Sequence, residues 1–320
     1  MYTKLEDFKI FRIKENHLVK WSLYLAVCFS LILYFSANYS NISYAQESDY
    51  QINKTKITDS IYLLHGPNAN VLVSTGKDGT ILVDSEMQLT SEKIKKVISE
   101  ITDKPIKYII NTHWHPDHSE GNINFGKEGA IIIAHDLTRE RLMTSQFTSF
   151  DNTTSPPLPE IGLPIITYTD SMKLFQNDDE IRIIHQENGH TDGDSIVYFT
   201  KNNVLYLADL FSDKAYPYID KESNGNIDDL ITSLKNSTSL INDQTKIVGG
   251  HSGVANVTQF NYYVNMLTEL RDKVKEMKES GKSLEDVLSE NLTKKYDQIY
   301  HDNSYVDGND LSLFIYETLK

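Results

Sequence analysis

The sequence contains a single cysteine, Cys28, which lies inside an apolar stretch near the N-terminus. The remainder of the chain has no thiol, so it has neither disulfide bonds nor a cysteine nucleophile. A metal site in the body of the protein is therefore restricted to histidine and carboxylate ligands.

Positive charge is also scarce, with 31 Lys and Arg residues against 45 Asp and Glu residues and a net charge of −14. Removing residues 1–45 leaves 26 basic and 42 acidic residues, a net charge of −16. Such a surface repels phosphate backbones, so we expect a small-molecule substrate and no nucleic-acid partner. No repeat of solenoid length is present, and the length suits one globular, enzyme-sized body.

The sequence has one long apolar run, Trp21 to Ala37, which follows five basic residues and precedes the small-residue stretch Ser-Tyr-Ala at 43–45. This pattern predicts a signal peptide cleaved after Ala45. Residues 46–320 would then form an exported domain, periplasmic or extracellular, without stable membrane association. Because the run is short for a membrane span and the segment before it is long, an uncleaved anchor formed by residues 21–37 is the alternative.

Metal-ligating residue types concentrate directly after the apolar run Ile106 to Ile110. In extended backbone His113 and His115 share a face, so two imidazoles can reach one cation from a single rigid segment. Pro116 bends the chain, and Asp117 and His118 then project elsewhere. This second pair suits a neighbouring cation, so the motif predicts a binuclear site.

Three further candidate ligands each follow an apolar run. His190 lies in a glycine-containing loop, Asp209 follows residues 204–208, and His251 follows residues 247–250. Rigid strand ends can bring ligands from distant parts of a chain into one cleft. We therefore expect His190 to be the third ligand of the cation bound by His113 and His115.

The order of elements predicts two sheets packed together with helices outside. Strands are expected within residues 61–84, 106–110, 130–134 and 172–207, and helices over 90–102, 137–143, 261–280, 284–288 and 311–319. Residues 148–165 contain four prolines and are expected to form an irregular connection over the active site. Asp84, at a strand end, is either an ordinary helix-entry acid or a support for a metal-bound histidine.

These residues together resemble the metallo-β-lactamase superfamily, in particular its exported metallo-hydrolases. The resemblance rests on residues 112–118, on Gly189-His190-Thr191, on Asp209 and on Gly250-His251, in that order. It implies an α/β fold, the four-layer αββα sandwich, with two zinc ions at one edge. Carried over by position, the first zinc is bound by His113, His115 and His190, the second by Asp117, His118 and His251, and Asp209 bridges both.

The chain departs from the usual pattern at three places. Ala208 replaces the glycine that usually precedes the bridging aspartate, and Ser252 follows His251 where glycine is usual. Zinc β-lactamases typically have cysteine or serine where this chain has Asp209, whereas glyoxalase-like and lactonase-like hydrolases have this aspartate. The resemblance therefore favours a reaction other than antibiotic hydrolysis.

The expected function is a zinc-dependent hydrolase that uses a metal-bridging hydroxide to cleave an ester, lactone, thioester or cyclic amide. Asp117 is expected to fix that hydroxide and move its proton. Tyr216 and Tyr218 are candidates either for a hydrogen bond to the substrate or for packing. The alternatives are a β-lactam hydrolase, a mononuclear iron oxygenase of the same fold, and a binding module without activity.

Overall fold

Two large sheets dominate the computed structural model, which describes residues 50–300 and 305–320. The predicted signal peptide or anchor, residues 1–45, lies outside the described residues. The strands, in chain order, are β1 (Asn53–Lys56), β2 (Ile61–His65), β3 (Asn70–Gly76), β4 (Gly79–Val83), β5 (Ile106–Ile110), β6 (Ile131–His135), β7 (Gln146–Thr148), β8 (Thr153–Ser155), β9 (Ile166–Tyr168), β10 (Ser171–Gln176), β11 (Asp179–His185), β12 (Ser195–Phe199), β13 (Val204–Ala208), β14 (Lys246–Gly249) and β15 (Val254–Ala255).

The helices alternate with these strands and also close the chain. They are α1 (Ser91–Ser99), α2 (Pro116–Ser119), α3 (Asn122–Lys127), α4 (Asp136–Leu142), α5 (Ile227–Ser237), α6 (Val257–Glu279), α7 (Leu284–Ser289) and α8 (Gly308–Thr318). Within the described part of the chain, none of them combines the length and apolar character that a bilayer crossing requires.

The first sheet has the strand order β1-β2-β3-β4-β5-β6-β9, and the second has the order β10-β11-β12-β13-β14-β15. In the first sheet β1 to β4 are antiparallel, and β4, β5, β6 and β9 are parallel. In the second, β13 and β14 are the parallel pair. The carboxyl ends of β5, β13 and β14 are the points from which most of the candidate ligands extend.

A dry core lies between the two sheets, and helices cover their outer faces. The inner core takes Leu63 and Val83 from the first sheet and Phe199 and Tyr206 from the second, all essentially inaccessible to solvent. Central strands buried on both faces become continuously apolar, which explains the unbroken β4 and β13 sequences. A second core joins the other face of the second sheet to α5, α6 and α8. This is the αββα sandwich predicted from the resemblance.

Most predicted elements are confirmed, and the differences have local reasons. The helix expected over 90–102 ends at Ser99, and a 3-10 turn at Gln88–Thr90 precedes it. The connection expected to be irregular contains a short hairpin, β7–β8. Strand β1 was not predicted because its sequence Asn-Lys-Thr-Lys is exposed throughout and has no apolar alternation. Helix α5 was missed although it carries a signal: the Asn226 cap precedes apolar residues at helical spacing.

Candidate metal centre

The seven candidate ligands meet at one edge of the sandwich. Four of them, His113, His115, Asp117 and His118, lie in the segment that runs from the end of β5 into the short helix α2. The loop between β11 and β12 supplies His190, and Asp209 and His251 follow β13 and β14. The first sheet therefore contributes four of these residues and the second sheet three.

The first group consists of three imidazoles whose nitrogens face one another. His113 Nε2 lies 3.1 Å from His115 Nδ1 and 3.2 Å from His190 Nε2. His115 Nδ1 lies 2.9 Å from His190 Nε2. All three side chains are almost completely buried, so bulk water does not separate these nitrogens.

The second group contains Asp117, His118 and His251. Asp117 Oδ2 is 3.5 Å from both His118 Nε2 and His251 Nε2, and these two nitrogens are 3.4 Å apart. The group is more open than the first, since the side chains of Asp117 and His251 retain 25% and 28% exposure. It therefore borders the cavity described below.

Asp209 lies between the two groups. Its Oδ2 is 3.6 Å from His190 Nε2 and 3.1 Å from His251 Nε2, and its Oδ1 is 3.3 Å from His118 Nε2. One carboxylate thus reaches nitrogens of both groups. The geometry brings together every residue that the sequence proposed as a metal ligand.

The outward-facing nitrogens of four histidines are held by hydrogen-bond acceptors. His118 Nδ1 pairs with Asp84 Oδ2 at 2.8 Å, and His115 Nε2 pairs with Asp220 Oδ2 at 3.0 Å. His190 Nδ1 pairs with the Tyr218 carbonyl at 2.9 Å. In the fourth pairing, His113 Nδ1 lies 3.1 Å from Thr112 Oγ1. Because this hydroxyl donates its proton to Asp84, it accepts from His113 Nδ1.

These outer partners decide the chemistry of the inner nitrogens. Asp84, Asp220 and a carbonyl can only accept, so each paired imidazole carries a proton on its outer nitrogen and a lone pair on its inner one. Lone pairs about 3 Å apart cannot satisfy one another, whereas a cation placed among them would be bound by all of them. The residues therefore fit a divalent metal, and the supporting carboxylates are those that metal-binding histidines usually have.

The two groups differ in their electrostatics. Burial lowers the pKa of His190 to about 4 and also lowers the pKa of His113, so these two imidazoles are neutral at ordinary pH. In the second group burial opposes charge, but Asp209 raises the pKa of His251 to about 9 and, with Asp117 and Asp84, raises that of His118. The carboxylates around the second group therefore favour positive charge there, carried either by protons or by a bound cation.

Of the two roles that the sequence left open for Asp84, the geometry favours support of a histidine, His118. It is fully buried and has φ of +63°, in the left-handed region. Its carboxylate accepts from His118 Nδ1, from the Thr112 amide at 2.8 Å and from the Tyr206 hydroxyl at 3.3 Å. The 3-10 turn that follows has Met87 as its N-cap, so Asp84 does not cap it.

Sequence reasoning missed two supporting acids. Asp220, which accepts from His115, is also the N-cap of the 3-10 turn Lys221–Ser223 and accepts from the Ser223 amide. Asp194 accepts from the backbone amide of His190 at 2.6 Å and from the Thr191 hydroxyl at 2.6 Å, and so shapes the ligand loop. The aspartates flanking Gly193 were a visible signal for a tight loop, whereas nothing near Asp220 marked it.

The two tyrosines proposed as substrate contacts differ in their surroundings. The Tyr216 hydroxyl donates to Asp297 Oδ1 at 2.8 Å, so this residue is engaged in packing. The Tyr218 ring lies against His115 and His190, with centroids 6.0 and 5.7 Å apart. Its hydroxyl is shielded from solvent and has no hydrogen-bond partner among the described residues.

Two small residues permit the close approach of the ligands. A Cβ on Gly250 would lie 2.1 Å from Asp209 Oδ1 and 3.0 Å from His118 Cε1, so no larger residue fits there. Ala208, the departure noted in the sequence, has φ of +46°, a conformation that explains why glycine is usual at this position.

A cavity of about 510 Å³ opens above the ligands. His115, Asp117, His190, Asp209 and His251 form its floor. The β7–β8 hairpin lines one side, so the segment predicted to lie over the site does so. Tyr305 and Val306, just before α8, line another part.

Comparison with known proteins places this arrangement in a family. The model of the metallo-beta-lactamase superfamily matches residues 64–251, which include all seven candidate ligands. Among curated proteins, the alpha subunit of a 2,4-dinitroanisole O-demethylase from Nocardioides sp. (strain JS1661) is 27% identical over 157 residues. That match covers 48% of this chain and 42% of the relative, so it spans less than half of the relative's length.

Solved structures share the fold at low sequence identity. A metallo-beta-lactamase from Pontibacter korlensis has a TM-score of 0.58 and 16% identity, over 68% of this chain and 99% of the other. A stereoselective inverting sec-alkylsulfatase from Pseudomonas sp. has a TM-score of 0.67 and 13% identity, over 84% of this chain and 50% of the other. These proteins act on different bonds, so the shared feature is the fold. Since the family model covers more than half of the sequence, the chain belongs to the metallo-beta-lactamase superfamily.

Proposed function

We propose that the protein is a hydrolase that binds two zinc ions and cleaves an ester, lactone, thioester or cyclic amide. The observation that carries this proposal is the position of Asp209, whose two carboxylate oxygens face the nitrogens of both ligand groups. A site for a single cation would need neither the second group nor a carboxylate shared between groups.

In this proposal one cation is held by His113, His115, His190 and Asp209, the other by Asp117, His118, His251 and Asp209. Bound divalent cations supply Lewis acidity, which polarises a carbonyl and lowers the pKa of coordinated water.

The chain's own residues orient the reactants and move the proton. Asp117 borders the cavity and lies 3.5 Å from two histidine nitrogens, so it can accept the proton that an attacking water loses. Water gives its oxygen to the acyl carbon, the bond to the leaving group breaks, and the proton passes to the leaving group. Tyr218 lines the cavity beside His115 and His190, but its hydroxyl is shielded from solvent, so the ring is the part of this residue that a substrate contacts.

The same protein preparation can be tested for two alternative activities. β-Lactam hydrolysis is one alternative, since solved structures of similar fold are lactamases. The other alternative is oxygen chemistry at a single iron. The complete second ligand group argues against it, because a single cation would not need that group. The alpha subunit of an O-demethylase, a relative matched over 42% of its length, is named for action on yet another bond.

The deciding experiment measures metal content and turnover on the same preparation. Protein purified without added metal is analysed for zinc and iron, then screened against lactones, thioesters, aryl esters and cephalosporins, with oxygen consumption followed in parallel. We expect about two zinc ions per chain and hydrolysis that stops after chelation and returns with zinc. Full hydrolysis at a measured metal content of zero would overturn the proposal, as would iron with oxygen uptake.

We also propose that the protein acts outside the cytoplasm on a small molecule, with cleavage after Ala45. The apolar run at residues 21–37 and the small residues at 43–45 support export, and the negative net charge supports a small-molecule substrate over nucleic acid. N-terminal sequencing of the exported protein should begin at Gln46. Recovery of an intact N-terminus in the membrane fraction would replace the signal peptide with an anchor.

A further inference from the structure

The charges around the cavity suggest which substrates it accepts, an inference that rests on the proposed hydrolase function. Asp117 and Asp209 lie on the floor, and Asp151 lines the cavity from the β7–β8 hairpin. Among the described residues that line the cavity there is no lysine or arginine. A substrate carboxylate bound there would therefore have no lysine or arginine to pair with.

Asp151 is an ordered negative charge, although it is exposed. Its Oδ1 accepts from the Thr153 amide at 3.1 Å and from the Thr153 hydroxyl at 2.6 Å. The Tyr305 hydroxyl also hydrogen-bonds to this carboxylate. Since these donors fix the side chain on the cavity wall, its charge acts at one position instead of being averaged over many rotamers.

The metal centre does not offset this charge. Four carboxylates lie within or directly behind the ligand groups, namely Asp84, Asp117, Asp209 and Asp220. They match the four positive charges of two divalent cations. The loaded centre therefore has no net positive charge with which to draw an anionic acyl group past Asp151.

Aromatic rings stand beside Asp151. Phe150 packs on Tyr218 and Tyr305, with centroids 5.4 and 5.1 Å apart, and the two tyrosines lie 5.9 Å from each other. Tyr218 and Tyr305 both line the cavity. Ring faces bind apolar groups and attract cations, but they offer no electrostatic attraction to an anion.

We propose that the enzyme takes esters or lactones whose acyl part is uncharged or positively charged, and that Asp151 is the residue that rejects anionic ones. The proposal separates this chain from enzymes whose substrates carry a carboxylate or sulfate next to the scissile bond. It also identifies Asp151, which has no part in metal binding, as a determinant of specificity.

The test uses three 4-nitrophenyl esters matched in length, with a 5,5-dimethylhexanoyl, a 4-sulfobutyryl and a 4-trimethylammoniobutyryl group, which are neutral, anionic and cationic. Values of kcat/KM for the zinc-loaded protein are divided by each ester's rate with hydroxide, which removes intrinsic reactivity. We expect the anionic ester to be about tenfold or more below the neutral one, and the cationic ester to equal or exceed it. Asp151→Asn should reduce this gap, and Asp151→Lys should reverse it.

Asp243→Asn is the matched control, because it makes the same change in net charge at an exposed position before β14, at the opposite end of that strand from His251. It should leave the ratio between the esters unchanged. Binding of the three corresponding methyl ketones, which cannot be hydrolysed, is measured in parallel by ligand-observed NMR.

The outcomes separate this inference from the proposed function. Ketones that bind in the expected order without turnover of any ester would support the charge selection and overturn the hydrolase. Turnover in which the anionic ester equals the neutral one, or in which Asp151→Asn leaves their ratio unchanged, would overturn the charge selection and leave the hydrolase standing. Equal changes in Asp243→Asn would likewise remove Asp151 as the determinant.

Discussion

Replacing Asp84 by asparagine should weaken one metal site selectively, because it changes where a proton sits on His118. The carboxylate of Asp84 accepts from the Thr112 amide through Oδ1 and from His118 Nδ1 through Oδ2. Asparagine keeps one accepting oxygen, which the Thr112 amide requires, and places an NH₂ group opposite His118. His118 Nδ1 must then accept, so its proton moves to Nε2, the nitrogen that faces the ligand group.

The magnitude follows from the bond that is lost. Asp84 is fully buried, and a hydrogen bond to a charged group contributes about 1.5–3 kcal/mol. At about 1.4 kcal/mol per factor of ten, the second site should lose about 10- to 100-fold in zinc affinity, the range typical of such supporting residues. Asparagine is also compatible with the positive φ at this position, so the fold should persist.

Asp220→Asn is the matched control for the other group. Its Oδ1 accepts from the Ser223 amide and its Oδ2 from His115 Nε2, so the same argument shifts the proton on His115 and weakens the first site. Competition of each variant with a chromophoric chelator gives the two zinc affinities separately, and far-UV circular dichroism checks the fold. An Asp84→Asn protein that keeps both affinities, or that loses the site weakened by Asp220→Asn, would refute the tautomer argument.

Three further predictions concern single residues. Asp209→Ala should reduce bound zinc from about two to about one per chain, as measured by metal counting. It should also reduce turnover by about 10²-fold, a loss of roughly 2.7 kcal/mol in transition-state stabilisation. Asp243→Ala, at an exposed and remote position, should change neither. Gly250→Ala should displace the Asp209 carboxylate, because the new Cβ would lie 2.1 Å from Asp209 Oδ1. It should lower the unfolding free energy by about 1–3 kcal/mol and reduce the bound zinc. An unchanged zinc content would contradict this. Lys273, with Lys295, lowers the pKa of Glu269 to about 2, so its ion pairs stabilise the fold above pH 4.5 and lose that effect as the pH falls towards 2. Glu269→Gln should therefore be less stable than the parent by under about 1 kcal/mol at pH 7, a difference that disappears near pH 2 in urea titrations, because the pair is partly exposed.

The sequence was sufficient to predict that the candidate ligands lie together, because their residue types are rare and most of them follow an apolar strand. His190 and Asp209 could be assigned to one site from the order of residues alone, since strand ends converge at a sheet edge. Asp220 could not, because its contact with His115 depends on how a loop without regular structure folds back. Asp213 illustrates the same limit. Its place in the polar stretch beyond β13 predicts an exposed loop residue, yet it is half-buried and accepts from Gln259. Asp243, which is exposed, is therefore the better control.

The backbone conformation at Asp84 was equally hidden from the sequence. A positive φ belongs mostly to glycine and asparagine, and no residue pattern near position 84 indicated it. The conformation follows from tertiary contacts, because the carboxylate has to reach Thr112, Tyr206 and His118 at once. Local propensity therefore predicted the strand correctly but not the direction in which its last side chain points.

Each ligand group draws residues from both sheets, and this has a mechanical consequence. His113 and His115 follow a strand of the first sheet, while His190 belongs to the second; His118 and His251 divide in the same way. A cation in either group is a cross-link between the two halves of the sandwich. In a body without cysteines, such links would stabilise the fold as disulfides do in secreted proteins, with the difference that their strength rises with the free metal concentration. We then expect removal of metal to weaken the packing between the two halves of the sandwich, including parts far from the cavity.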